Sequence, residues 1–198
     1  EYALLSHKRA CHAIKEGWFK DEIVPVEVKS RKGTTIFDTD EHPRPDASLE
    51  AFARLRPAFK KDGTVTAANA SGLNDGGSAL VMMSAEKAKE LDLKPIARVV
   101  SSASGAVEPR IMGMGVIPAV RRALKFAGME QKEIDYWEIN EAFAAQFLGV
   151  NRELKIDLEQ VNGVGSGIAL GHPVGATGAR LIITMINEMK RRGVRYGC

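Results

Sequence analysis

The chain has 198 residues, 44% of them apolar and 27% charged, which is ordinary for a globular protein with a packed core. Its formal net charge of +3 is too small to argue for nucleic acid, which asks for a concentrated basic stripe. No apolar run approaches the roughly 18 residues that span a bilayer, so neither a membrane nor a nucleic-acid partner is expected.

Two cysteines, Cys11 and Cys198, make no disulfide framework, and a reducing compartment, the cytoplasm, is expected. No signal segment is visible. The chain opens without Met inside a helical pattern and closes at Cys198 just after another. It is therefore expected to be a section of a longer polypeptide.

In chain order, residues 1–16 read as a helix with a small-residue stripe at Ala3, Ser6, Ala10 and Ala13, stopped by Gly17. Residues 23–28 read as one edge strand disturbed by Pro25. Residues 30–45, rich in charge, Pro and Gly, read as loop. Ser48 is placed to cap a short helix through Leu55. Residues 79–83 form an apolar run suited to a strand covered on both faces, and Ser84 caps the charged helix that follows.

The second half alternates. Residues 95–102 and 134–139 read as strands. Residues 118–126 read as a helix opened by Pro118 and closed by Gly128. Residues 140–154 and 176–192 read as further helices, with a Gly-rich turn over 163–175. Strand and helix in alternation give an α/β class with a layered sheet.

Three segments are hard to explain by packing alone. In Gly171-His172-Pro173-Val174-Gly175-Ala176-Thr177-Gly178, a histidine sits between glycines at the mouth of a helix. There it can polarise a carbonyl or accept a thiol proton. Taken alone, such a pattern is more often a structural turn. In Glu138-Ile139-Asn140-Glu141-Ala142-Phe143, polar Asn140 and Glu141 stand at a strand-to-helix junction, where Asn140 equally suits an N-cap. Residues 66–77 (TAANASGLNDGG) are small enough to line a narrow slot, or to make a tight turn. Cys11 reads as packing, and His7, His12 and His42 as surface residues without metal-like spacing. No metal site is expected.

Together these segments resemble the thiolase family. The likeness runs from DEIVPVEVKSRKG through LRPAFKKDGTVTAANASGLNDGG and GMGVIPAVRRAL to EINEAFAAQ and ALGHPVGATGAR. The resemblance implies a layered α-β-α-β-α architecture, incomplete in this chain. Residues 1–72 would be the latter part of a CoA-binding loop domain, 73–94 the end of the first core domain, and 95–198 the second core domain short of its last strands. It implies reversible Claisen condensation and thiolysis through an acyl-cysteine, with coenzyme A thioesters as substrates and no bound cofactor.

By the same resemblance His172 would activate the nucleophile and bind the thioester oxygen, and Asn140 would hold an oxyanion-hole water. One bridging water puts the two side chains about 5–8 Å apart. Arg44 would meet the adenine and phosphate end of CoA. Phe59, Ala67 and Ser71 would line the slot, and Ala142 and Phe143 would lie near the pantetheine. The family's nucleophilic cysteine belongs to a half that this sequence does not contain, and Cys198 precedes the position of the second catalytic cysteine. The 198 residues alone are therefore expected to be inactive. Val164 stands where the family often has Asn, which puts the local turn geometry in question. Homo-oligomers, dimers or tetramers, are implied for the full-length protein. A non-catalytic thiolase-like carrier of CoA or lipid remains the alternative. A hydrolase pairing Cys198 with His172 lacks an orienting third group.

Overall fold

Small residues at one-turn spacing let helix α1 (Tyr2–Glu16) pack closely, and Ala3, Ser6, Ala10 and Ala13 are all buried. Gly17 ends the helix in the left-handed conformation, φ 71°, with its N–H on the Ala13 and Ile14 carbonyls. The computed structural model describes residues 1–198 throughout.

Strands β1 (Val26–Ser30) and β2 (Gly33–Phe37) then form an antiparallel hairpin, pairing Val26 with Phe37 and Ser30 with Gly33. The sequence reading placed one strand at 23–28 and loop beyond it. The hairpin overrides the charged composition because Thr34, Thr35 and Ile36 favour extended backbone. Its turn is also locked: the Lys32 N–H donates to Ser30 Oγ at 3.1 Å, and Ser30 Oγ–H donates to the Gly33 carbonyl at 3.1 Å.

Helices α2 (Leu49–Ala53) and α3 (Ala85–Glu90) start at Ser48 and Ser84, each side chain accepting the expected capping bond at 3.1 Å. Residues 79–83 and 95–102 lie outside any β-ladder, with Val81 89% and Ile96 84% exposed. A strand exists only by its pairing, and this chain gives these two segments no ladder partner.

The fourth expected strand, 134–139, becomes the middle of a short parallel strip. Tyr136 bridges Gly197 on one side, and Trp137 bridges Val161 on the other. Around it the main core collects Trp137, Ile139, Phe147, Val150, Val161 and Ile168, with Tyr2 stacked on Phe147 at 4.1 Å. Helix α4 (Val116–Ala127) ends at Gly128 as expected and packs on α5 (Ala144–Leu154). The four-residue helix α6 (Gly167–Leu170) lies on α1, and α7 (Thr177–Arg192) closes the chain's helical set. No helix is long and apolar enough to cross a membrane.

Candidate active site

Helix α5 begins four residues later than the sequence suggests, with Phe143 as its N-cap residue. Asn140 is therefore not a helix cap. It sits in the extended segment that leaves the parallel strip at Glu138. The neighbouring Glu141 is fully buried and gathers four donors: Tyr2 Oη at 2.7 Å, Ser6 Oγ at 2.6 Å, Asn162 Nδ2 at 3.1 Å and the Ile168 N–H at 3.3 Å. Burial pushes its carboxyl above the usual range despite those donors. Its work is to tie α1 and α6 to the turn that presents Asn140.

Asn162, which the sequence reading passed over, fixes the other side of that turn. Its amide closes a reciprocal pair with Ile139, accepting from the N–H and donating to the carbonyl at 2.8 Å each. Val164 does not disturb this. It is buried with Ala13 and Phe19 in a second apolar cluster, away from polar work.

The 66–77 segment acts as a strap between the two motifs. At one end the Ser71 N–H donates to the Ala142 carbonyl at 2.9 Å, and the Ala144 N–H donates to the Asn69 carbonyl at 2.9 Å. At the other end the His172 N–H donates to the Gly72 carbonyl at 3.1 Å, with Asn74 Oδ1 as a second acceptor at 3.3 Å. Gly171, at φ 90°, lies so close that an added Cβ would meet Asn74 Oδ1 at 2.5 Å. Only glycine lets the backbone pass there.

The result places Asn140 Nδ2 3.4 Å from His172 Nε2 across 32 residues of sequence. This is direct contact, shorter than the separation expected from one bridging water. On its other face, His172 Nδ1 lies 2.8 Å from Thr177 Oγ1, whose hydroxyl donates to the Pro173 carbonyl at 2.9 Å. A hydroxyl that spends its proton on Pro173 must accept from His172, so Nδ1 carries the hydrogen and Nε2 the lone pair. The Asn140 orientation, NH₂ toward that lone pair, agrees. Partial burial and then the charge of Arg180 lower the basicity of His172, favouring the neutral ring. A neutral imidazole whose Nε2 lone pair is met only by the long 3.4 Å contact with Asn140 can accept a proton. Once protonated, it can donate to an oxygen.

The residues carried over for CoA divide into two groups. Phe59 and Phe143 meet edge to face at 6.1 Å and line, with Val65, Ala145 and Gln146, an open cavity of about 340 Å³. Ala142 and Ser71 are joined through the backbone bond described above, and Ala67 lies exposed on the same strap. Arg44 makes none of these contacts. It is exposed, and its backbone N–H donates to His7 Nδ1 at 3.2 Å. No group of three or more His, Cys, Asp or Glu residues is arranged to hold a metal ion.

His7 corrects the sequence reading, which put it on the surface. It is 4% exposed, edge-on to Phe52 at 6.0 Å and stacked near His42 at 6.5 Å, and burial lowers its pKa to about 4. His42 is half-buried and contacts the carbonyl of Ala169 through Nδ1 at 2.9 Å.

Comparison with known proteins places this geometry in a family. The family model for the thiolase C-terminal domain matches residues 93–198, and that for the thiolase N-terminal domain matches residues 1–86. The chain belongs to the thiolase family. It is 53% identical to an acetyl-CoA acetyltransferase of Syntrophomonas wolfei over 198 residues, covering 99% of this chain and 50% of that protein. The crystal structure of the Bacillus anthracis acetyl-CoA acetyltransferase superposes with a TM-score of 0.96 at 53% identity, over 98% of this chain and 50% of that one. Human mitochondrial 3-ketoacyl-CoA thiolase in complex with CoA gives a TM-score of 0.90 at 41% identity, over 99% and 48%. The chain thus spans about half the length of the curated relatives it matches.

Proposed function

We propose that the protein to which this chain belongs catalyses reversible Claisen condensation and thiolysis of 3-ketoacyl-CoA, interconverting acetyl-CoA and acetoacetyl-CoA in the shortest case. The observation that carries this reading is the 3.4 Å approach of Asn140 Nδ2 to His172 Nε2, with Thr177 fixing the tautomer. In this reading His172 accepts the proton of a cysteine thiol supplied by the rest of the polypeptide. The resulting imidazolium then donates to the thioester oxygen as charge develops on it. Asn140 supplies a second donor at the same place.

Coenzyme A would lie along the strap, its pantetheine against Phe59, Ala67, Ser71, Ala142 and Phe143, with Arg44 attracting the phosphates. The edge-to-face Phe59–Phe143 pair and its open cavity support that path. The domain division at 1–72, 73–94 and 95–198 belongs to the same proposal. So does assembly into homo-oligomers, since unpaired apolar segments at 79–83 and 95–102 invite partner strands. Two free cysteines support a reducing, cytoplasmic setting.

The test is incubation of the full-length protein with acetoacetyl-CoA and CoA. Thiolysis to acetyl-CoA is the expected result. Saturable CoA binding with the thioester left intact would instead identify a carrier built on the same fold.

A further inference from the structure

Four buried side-chain polar atoms have no hydrogen-bond partner, Glu138 Oε2, Asn140 Oδ1, Gln146 Oε1 and Arg180 Nη1, and the first and last of them face each other at 3.8 Å. Arg180 lies on α7 three residues after Thr177, so both project from the same side of the first turns. Its other guanidinium nitrogen, Nη2, donates to Ser166 Oγ at 3.4 Å, and Ser166 Oγ–H donates to the Ile139 carbonyl at 3.3 Å. One side chain therefore reaches Glu138 directly and Ile139 through Ser166, the two residues immediately before Asn140.

We propose that Arg180 is a positioning residue of the site: it braces the segment carrying Asn140 against the helix turn carrying Thr177, and so sets the surroundings of the His172 ring. The inference rests on the reading of His172 as the base. The geometry suits an arginine, since a guanidinium fork can hold two directions at once where an ammonium is a single point charge.

The electrostatics agree. Arg180 is the charged group that lowers the basicity of His172. Three acidic side chains from separate elements sense its charge: Glu138 in the parallel strip, Asp40 after β2 and Glu22 after α1. Burial raises Glu138 to about 8, with Tyr136, Glu141 and Glu188 as its further titratable neighbours.

The experiment is a titration of His172 in full-length protein with ¹⁵N-labelled histidine, comparing the parent with Arg180→Met and Arg180→Lys. In Arg180→Met the His172 midpoint rises by about half a unit or more, about a threefold change in the ratio of neutral to protonated ring at a given pH. In Arg180→Lys it stays near the parent value. The acid limb of the kcat–pH profile moves with it, while KM for CoA does not. Arg180→Gln, which keeps a donor toward Ser166, gives the same rise and serves if the Met variant fails to fold. A His172 midpoint unchanged in a folded, neutral Arg180 variant overturns the proposal. The titration needs no substrate, so failure of the thiolase reading would appear separately, as absent turnover in the parent.

Discussion

Thr177 Oγ1 accepts from His172 Nδ1 at 2.8 Å while its own proton goes to the Pro173 carbonyl, so one hydroxyl decides which nitrogen of His172 is basic. Removing that hydroxyl frees the ring to adopt the wrong tautomer or to rotate. Thr177→Val, close in shape, is expected to lower kcat in the full-length protein by about 10- to 100-fold with KM nearly unchanged. Thr177→Ser should recover most of the loss. Steady-state kinetics on the two variants decide the matter, and equal activity in Thr177→Val would remove Thr177 from the site.

Asn140 is freed from capping by the late start of α5, and its amide points at the His172 lone pair. If it supplies a donor to a developing oxyanion, Asn140→Ala lowers kcat by about 100-fold without loss of CoA affinity. Asn140→Asp places a carboxylate against the imidazole, favours the imidazolium and moves the acid limb of the rate profile to higher pH. A parallel fall of kcat and melting temperature in Asn140→Ala, with an unmoved pH profile in Asn140→Asp, would leave Asn140 a structural residue.

The CoA path is tested through Arg44 and Phe59. Arg44 is exposed and offers charge without a fixed partner, so Arg44→Ala should raise KM for CoA thioesters several-fold at low salt and less at high salt. Turnover should barely change. Phe59, 73% exposed and edge-on to Phe143, should show the same pattern without the salt dependence when replaced by Ala. An unchanged KM for Arg44→Ala at low salt contradicts its placement.

His7 makes the fold sensitive to acid. Its folded-state pKa is depressed from 6.5 to about 4, first by burial and then by the neighbouring His42 and Arg44, with Asp46 opposing. Between those values the unfolded chain binds a proton that the folded chain refuses. Stability is therefore complete above about pH 6.5 and declines as pH falls toward 4, by up to about 3 kcal/mol from this residue. His7→Gln, which retains an acceptor for the Arg44 N–H, should flatten that part of the stability curve. Denaturant midpoints at pH 7 and pH 4.5 for both proteins measure the difference, and an identical acid loss in His7→Gln refutes it.

How much of this was legible in the sequence depends on how local the physics is. Gly17, Gly128, Ser48 and Ser84 end or begin helices through bonds within four residues, and each does what its neighbours suggest. Segments 79–83 and 95–102 have strand-like composition, but a ladder needs a partner that sequence pattern cannot supply. The hairpin over residues 26–37 was hidden by its charged residues, since neither face is buried and no apolar alternation is needed. His7 looked like a surface residue because the loop that covers it, around His42 and Arg44, is distant in sequence. The motifs themselves pointed to His172 and Asn140. Thr177, Asn74 and Asn162 were not distinguishable from ordinary turn and capping residues, because their roles lie in what they hold rather than in what they are.

The central claim is that His172, neutral and with its Nε2 lone pair facing Asn140, is the base of an acyl-transfer site. The most direct measurement is thiolysis of acetoacetyl-CoA by the full-length protein, parent against His172→Ala, with CoA affinity measured on both. The account predicts a fall in kcat of about 100- to 10,000-fold with CoA affinity preserved. Turnover in His172→Ala within about threefold of the parent, less than about 1 kcal/mol of barrier, would contradict it.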